Sequence, residues 1–473
     1  MKKFLSLVSS LILLGTCAFG LSACWSNDKV GDTETHDGLL YTLVKNPKGG
    51  MGYTVSGISD TVKDAYIPTF IRNNRPVIAI EENAFYGYTQ LESISIPYYV
   101  TEVGANAFAG CVNLKSVHIE KAEVIGANAF ARCENLESVS ALSVESWCNI
   151  SFANMASNPM YFATEFCVGG KPVEDLVVPF NATQVPDFAF YECENIKSVT
   201  IEGARSIGQS AFYGCGQLES IKINGNLLKM GELAFADCPS LKTVEFGRQV
   251  EVIGEYAFLR CASIEELTVP ASVKRIEASA FSDCTAIKTL NLKEGLEYIG
   301  DCAFGGCVSL AEFKMPSTVS SIGFGIVMFG GNAGFVTGDT SNQVDKITLS
   351  DKLTEIPDFS FSFCGIKTVT IGEKVTRISY SAFYGCDQLE SVVLPKSLKN
   401  IISFAFYRCT ALNTVYYKGT AEEWASVKIG KSGNDNFTGA NDTVPAEVYF
   451  YSATRPEQDG NYWRYVNGEP TKW

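Results

Sequence analysis

Hydrophobic residues recur along this chain in a fixed order, with a period of 22 or 23 residues. In one copy Leu218, Ile221 and Ile223 come first and Met230, Ala234, Phe235 and Cys238 follow. Leu241, Val244 and Phe246 then open the next copy. The stretch Leu-x-x-Ile-x-Ile alternates as a short strand does when one face is buried. A second cluster, Ile-Gly-x-x-Ala-Phe, returns at Ile125, Ile207, Ile253 and Ile299. Glycine there suits a tight turn, and alanine lets neighbouring coils approach closely. A coil of this size cannot enclose a core by itself, whereas stacked coils bury their apolar edges against one another. The pattern therefore predicts a solenoid.

The Ala-Phe pair ends at Phe85, Phe108, Phe130, Phe190, Phe212, Phe235, Phe258, Phe281, Phe304, Phe383 and Phe406, with Ser360-Phe361 as a variant. Two longer gaps each suggest a degenerate copy, at Ser151-Phe152 and at Ile322-Gly323 leading to Val327. This reading gives about fourteen coils and leaves two insertions, near 153–172 and 328–343, both emerging after the phenylalanine position and hence from one edge. The first carries Asn154, Met155, Asn158, Pro159, Met160, Tyr161 and Phe162 and is apolar enough to fold back. The second is polar and rich in glycine. Residues 38–80, with Tyr41, Tyr53 and Val55, read as an N-terminal β cap, and 81–415 as the repeats. Residues 416–473 read as an aromatic C-terminal cap: a short helix from Glu422-Glu423-Trp424, a strand at Val448-Tyr449-Phe450-Tyr451, and a tail with Tyr462, Trp463 and Tyr465. Such aromatics close the last coil or stack on a glycan, and closure is the simpler use.

The beginning of the chain reads as an address. Met1-Lys2-Lys3 is basic, an apolar stretch runs to Phe19, and Leu21-Ser22-Ala23-Cys24 resembles the bacterial lipobox. That resemblance implies that 1–23 is removed, that Cys24 carries lipid and holds the protein to a membrane, and that 24–37 is a tether. An ordinary secretory leader and an uncleaved anchor are the alternatives. No later stretch is long and apolar enough to span a bilayer. The expected location is the cell envelope, facing outward.

Within the repeats, Leu91, Ser93, Ile94, Ile96, Pro97, Val100, Thr101, Val103, Gly104, Ala107, Phe108, Gly110 and Cys111 carry a pattern that resembles the BspA-like leucine-rich repeats of bacterial surface proteins. The resemblance extends over about 38–473. It implies a leucine-rich-repeat solenoid, mainly β, capped at both ends. It also implies adhesion, through binding of a host matrix protein, a host cell or another bacterial surface.

Composition narrows the chemistry. A formal net charge of -14 and a pI near 4.9 argue against nucleic acid and against electrostatic docking to anionic lipid. Sixteen cysteines in an exported chain would ordinarily suggest disulfides. Here eleven of them, from Cys111 to Cys409, lie three residues after the repeat phenylalanine or its equivalent. They stack in one column with side chains pointing the same way, which is poor bridging geometry. We read them as buried thiols. Cys148, Cys167 and Cys302 fall outside the column. With two histidines, no Cys-x-x-Cys and no catalytic or phosphate-cradling motif, no metal, cofactor or enzymatic activity is expected. Asn434-Asp435-Asn436 and Asn441-Asp442 do not match a calcium loop and read as solvated turn.

In such a solenoid the residue between the two buried strand positions faces outward. That column runs through Ser95, His118, Ser140, Val177, Thr200, Lys222, Glu245, Thr268, Asn291 and Lys314 to Tyr416. His118, Lys222, Glu245, Asn291, Lys314 and Tyr416 are its candidate ligand residues; the competing view is that they only solvate the sheet. The two insertions are the other candidate. A passive spacer, or a sugar-binding or enzymatic C-terminal module, are the opposing functional readings.

Overall fold

The computed structural model describes residues 28–59, 61–327, 344–439 and 445–473. Cys24, the 328–343 insertion and Asn441-Asp442 lie outside the described residues. Each coil contributes a long strand, a short strand and a turn segment, so the solenoid has three sides. Long strands pair in parallel and in register, as in Ile94↔Val117↔Val139. Short strands do the same one side further on, as in Val103↔Ile125. At the N-terminus Thr33–His36, Leu39–Lys45 and Met51–Ile58 form an antiparallel cap. Its last strand pairs with Arg75–Ile80 and so continues into the short-strand sheet.

The turn segments form the third side. Asn83, Phe85 and Gly87 donate their amides to the carbonyls of Ala105, Ala107 and Ala109 in the next coil, at 3.0, 2.7 and 2.8 Å. Alternate residues can all point along the axis because the backbone alternates hand. Asn83 and Gly87 have φ of 59° and 69°, and the corresponding pairs repeat along the chain. The glycine after the short strand has a different purpose from the one its sequence context suggests. A Cβ on Gly104 would sit 2.4 Å from the Glu82 amide nitrogen, so close approach between coils, not a left-handed turn, requires it.

Inside, the repeat phenylalanines stack as a ladder, with ring centroids 5.1 Å apart for Phe108–Phe130 and 5.0 Å for Phe212–Phe235. Beside it runs the cysteine column, fully enclosed. Ten of the eleven thiols donate to the carbonyl of the ladder position in the preceding coil, as Cys111 to Phe85 at 3.1 Å, Cys261 to Phe235 at 3.1 Å and Cys307 to Phe281 at 3.3 Å, while Cys193, after the ladder gap, donates to Asn195 Oδ1 at 3.1 Å. The thiol is a second donor to carbonyls that already accept a backbone amide three residues on, as Phe85 does from Tyr88 and Phe281 from Cys284.

The first gap in the repeat is filled differently from the sequence expectation. Phe152 is not a ladder residue: it pairs with Ile125 in the short-strand sheet. The amide of Phe130 donates to Ala156, which makes the small, buried Ser157 the ladder equivalent. The space Ser157 leaves is taken by Trp147 from the helix Val144–Cys148, whose N-cap Ser143 accepts from the Ser146 amide. Trp147 is fully enclosed, lies 5.3 Å from Phe152 and 5.4 Å from Phe166, and donates its indole N–H to the Ala189 carbonyl at 2.8 Å. Within 153–172, Glu165–Val168 forms a long strand of its own, in register with Ser138–Ala141. That brings the solenoid to about fifteen turns. The asparagines of this segment replace missing backbone partners: Asn154 Oδ1 accepts from the Asn128 amide, and Asn158 Nδ2 donates to the Phe188 carbonyl.

The long-strand sheet is interrupted three times, after Glu165–Val168, Thr243–Glu245 and Thr289–Leu292. Beside each break a phenylalanine occupies an inward position that other coils give to Ile, Val or Leu. Phe166, Phe246 and Phe313 stand edge-on against the ladder rings of Phe190, Phe258 and Phe304, at 5.1, 5.9 and 5.7 Å. A ring in place of an aliphatic side chain props its strand away from the neighbour. Across the last two breaks the short-strand sheet stays continuous from Ser206–Ile207 to Ser321–Ile322, so only the long-strand side opens.

The C-terminal end is closed by its own aromatics and amides. Thr414–Tyr417, Glu447–Tyr451, Tyr462–Val466 and Glu469–Lys472 extend the long-strand sheet. Asn434 and Asn436 are buried, not solvated: Asn434 Nδ2 donates to the Ile402 and Gly430 carbonyls, and Asn436 Nδ2 to Cys409.

Candidate interaction surfaces

The outward column of the long-strand sheet is largely occupied with itself. Lys222 and Glu245 are exposed but face each other across one coil step, at 3.8 Å. Asn291 Nδ2 reaches Thr268 Oγ1 at 3.5 Å, and Lys314 is exposed in register with Thr348. His118 is half-buried, and that burial lowers its pKa despite the nearby Glu120 carboxylate. It lies beside Ser140, whose Oγ is enclosed without a partner, and Cys167 lies on the other side of that serine. Tyr416 does not belong on an open ligand face. It is buried beneath Trp463 at 5.3 Å, with Tyr449 at 6.0 Å, because the C-terminal strands fold their aromatics onto the last coil. Trp463 is itself fully enclosed and donates to the Tyr417 carbonyl.

Along the leading edge of the same sheet runs a feature the sequence reading passed over. The residue before a long strand alternates in sign over two runs: Lys63, Glu92, Lys115 and Glu137, then, past Thr164, Glu174, Lys197, Glu219, Lys242, Glu265 and Lys288. Successive members pair, Lys115–Glu92 at 2.9 Å, Lys197–Glu174 at 2.9 Å, Lys242–Glu219 at 3.0 Å and Lys288–Glu265 at 2.9 Å. The alternation at repeat spacing was readable beforehand. It favours one register of stacking and neutralises the edge.

The turn side is different. Its left-handed position two residues before the ladder phenylalanine holds Asn83, Asn106 and Asn128 in the first coils, residues that tolerate this backbone. Further on it holds Phe188, Leu233, Tyr256, Phe359 and Phe404, all at φ between 55° and 63°. Phe363, at the second left-handed position, has φ 56° where most coils carry Gly or a polar residue. A bulky side chain there costs roughly 1–2 kcal/mol. These rings join others into two half-buried stripes on the turn side. One links Tyr161, Phe188, Tyr191 and Tyr213. The second links Phe324, Phe359, Tyr380, Phe404, Tyr407, Tyr384 and Phe363, with neighbouring centroids 5.0–6.1 Å apart. Where the short-strand sheet breaks, a polar cleft of about 620 Å³ opens beside Phe324, between Ser320 and Asp358, with Arg377 at its wall.

A parallel-stacked, three-sided β solenoid built from leucine-rich coils defines the class as a repeat scaffold. Residues 67–328 and 339–430, three quarters of the chain, match the BspA type leucine rich repeat region. The chain belongs to that family. No curated protein matches the sequence. Among solved structures, a leucine rich cell surface protein of Faecalibacterium prausnitzii is 26% identical over 85% of this chain and 99% of its own, with a TM-score of 0.42. A leucine-rich repeat protein of Bacteroides ovatus is 18% identical over 88% and 99%, with a TM-score of 0.45. The pneumococcal vaccine antigen PcpA is 15% identical over 85% and 99%, with a TM-score of 0.33. Among the described residues no helix is long and apolar enough to cross a membrane.

Proposed function

We propose that the chain is a lipid-anchored surface protein of the bacterial envelope that holds a protein partner, on a host or on another bacterium, along the turn side of its solenoid. The observation that carries this reading is the row of bulky aromatics at left-handed positions. The fold is content with asparagine, serine or glycine there, so Phe359, Phe363 and Phe404 are retained against a local backbone cost. Phenylalanine and tyrosine are also enriched at the cores of protein interfaces, and tyrosine is among the residues that carry most binding energy there. The paired charges of the sheet face support it less well, since Lys222 and Glu245 must first give up each other. The anchor rests on Leu21-Ser22-Ala23-Cys24. Intact mass of the envelope-extracted protein tests it, with Cys24→Ala as the released control.

The binding test is a screen of the chain from residue 28 onward against matrix proteins, mucins and intact bacterial cells, followed by a Phe359→Asn/Phe404→Asn variant. Asparagine relieves the backbone, so melting should stay within a few degrees of the parent while a saturable hit weakens at least tenfold. Unchanged affinity refutes the turn-side site. Loss instead on replacing Lys222, Glu245 and Lys314 would transfer the site to the sheet. No saturable partner at all would favour a passive spacer.

A further inference from the structure

We propose that Phe70, Tyr98 and Tyr99 form an interfacial foot by which the N-terminal end of the solenoid rests on the bilayer that anchors it; this builds on the lipid-anchor reading above. The three rings are 41%, 44% and 46% exposed. They still form one cluster, with centroids 5.2 Å apart for Phe70–Tyr99 and 5.6 Å for Tyr98–Tyr99. They share no side with the turn-side stripes. Phe70 belongs to the hairpin that pairs it with Pro76, and the tyrosines follow the long strand Ser93–Ile96. The Lys121 ammonium sits 4.8 Å over the Tyr98 ring.

The cluster lies where the chain enters the fold. The Asp28 carboxylate is held by Arg75 at 2.8 Å and Asn73 at 3.2 Å, and Ile71, next to Phe70, pairs with Arg75 across the hairpin. Cys24 is four residues before Asp28, a reach of about 14 Å at full extension. A diacylglycerol on Cys24 therefore brings this end of the molecule to the headgroup layer. Amphipathic rings and snorkelling lysines are the groups that settle in that layer. The occupant is the lipid interface itself. Without Lys2 and Lys3 the lipidated chain has 36 basic against 52 acidic residues, a net -16, so the contact has to be apolar and zwitterionic lipid should suffice. The foot sets the tilt of the solenoid; attachment is the task of the acyl chains.

The test is the mature lipidated chain, with Trp25→Phe removing the native tryptophan beside the anchor, in phosphatidylcholine vesicles with ordinary or brominated acyl chains. A Tyr99→Trp variant should gain emission that shifts blue on vesicles and is lost on brominated ones. A Tyr451→Trp variant, at the far end, should keep its emission on both. An unquenched Tyr99→Trp variant, with lipid on Cys24 verified by mass, overturns the proposal and leaves the rings to a soluble partner. If Cys24 bears no lipid, the anchor reading fails separately. The same variant is then tethered by an N-terminal histidine tag to nickel-chelating lipid: quenching there upholds the foot, and its absence overturns it.

Discussion

Raising the pH from 7.5 to 10 should weaken this protein far more than its exposed charges would suggest, because the cysteine column must stay protonated to stay folded. Burial pushes the thiols of Cys111, Cys193 and Cys307 up to about 12. An unfolded thiol titrates near about 8.5. Folding therefore raises these values, and the stability they contribute is complete below about pH 8.5 and lost as pH climbs towards 12. At pH 10 the unfolded chain has released about 1.5 pH units' worth of proton affinity per thiol while the folded chain holds its proton. That is about 2 kcal/mol for each buried thiol.

A Cys111→Ala/Cys307→Ala variant isolates the effect. Its baseline stability falls modestly, by about 0.5–1.5 kcal/mol for each lost S–H bond, because the Phe85 and Phe281 carbonyls keep the backbone amides of Tyr88 and Cys284. Its pH dependence should flatten. Urea titrations followed by far-UV circular dichroism at the two pH values should show the parent losing about 4 kcal/mol more than the variant between pH 7.5 and 10. Tyrosines and lysines titrate equally in both proteins and cancel. If the solenoid unfolds in segments, the difference divides between the segment bearing Cys111 and the one bearing Cys307. Identical pH dependence would refute the reasoning, since it would mean that these positions are not buried, protonated thiols in solution.

Trp147→Ala removes the side chain that fills the ladder gap above Ser157 and leaves the Ala189 carbonyl unpartnered; it should destabilise by about 3–5 kcal/mol in the same urea assay. Phe246→Leu removes a wedge, so hydrogen exchange at the Thr268 amide, which faces the preceding coil, should slow as the strand Glu266–Val269 closes on Thr243–Glu245. Cys302 is the one described cysteine that is not buried, so native maleimide labelling at pH 8 should modify it well before any other described thiol, as peptide mapping would show. Burial, and secondarily Asp301, raise its pKa, so the reaction should quicken steadily above pH 8.

What could be read beforehand was whatever one coil dictates to itself. The ladder phenylalanines, the cysteine column and the alternating strand positions repeat in place, and the structure sets each in its own file. Val327, read as a stand-in for phenylalanine, does occupy that slot, since Phe304 donates to the Ile326 carbonyl just before it. Ser151-Phe152 misled because a phenylalanine at nearly the right spacing outweighs a serine in any pattern match. The informative residue was Trp147, a side chain too large for its own short helix to bury. Tyr416 was misread for a related reason: its column faces outward, and only a strand far along the chain places Trp463 over its last members, Val393 and Tyr416. The aromatic positions on the turn side were visible in the sequence too. Their meaning depends on knowing that the backbone there is left-handed, and a single coil does not reveal that. Comparing the column down the chain does: Asn83, Asn106 and Asn128 declare the conformation, and Phe359 and Phe404 then stand out as residues kept in spite of it. In a repeat protein the fold is legible in what the coils share. The function is to be sought where one coil carries a residue that its neighbours show the fold does not need.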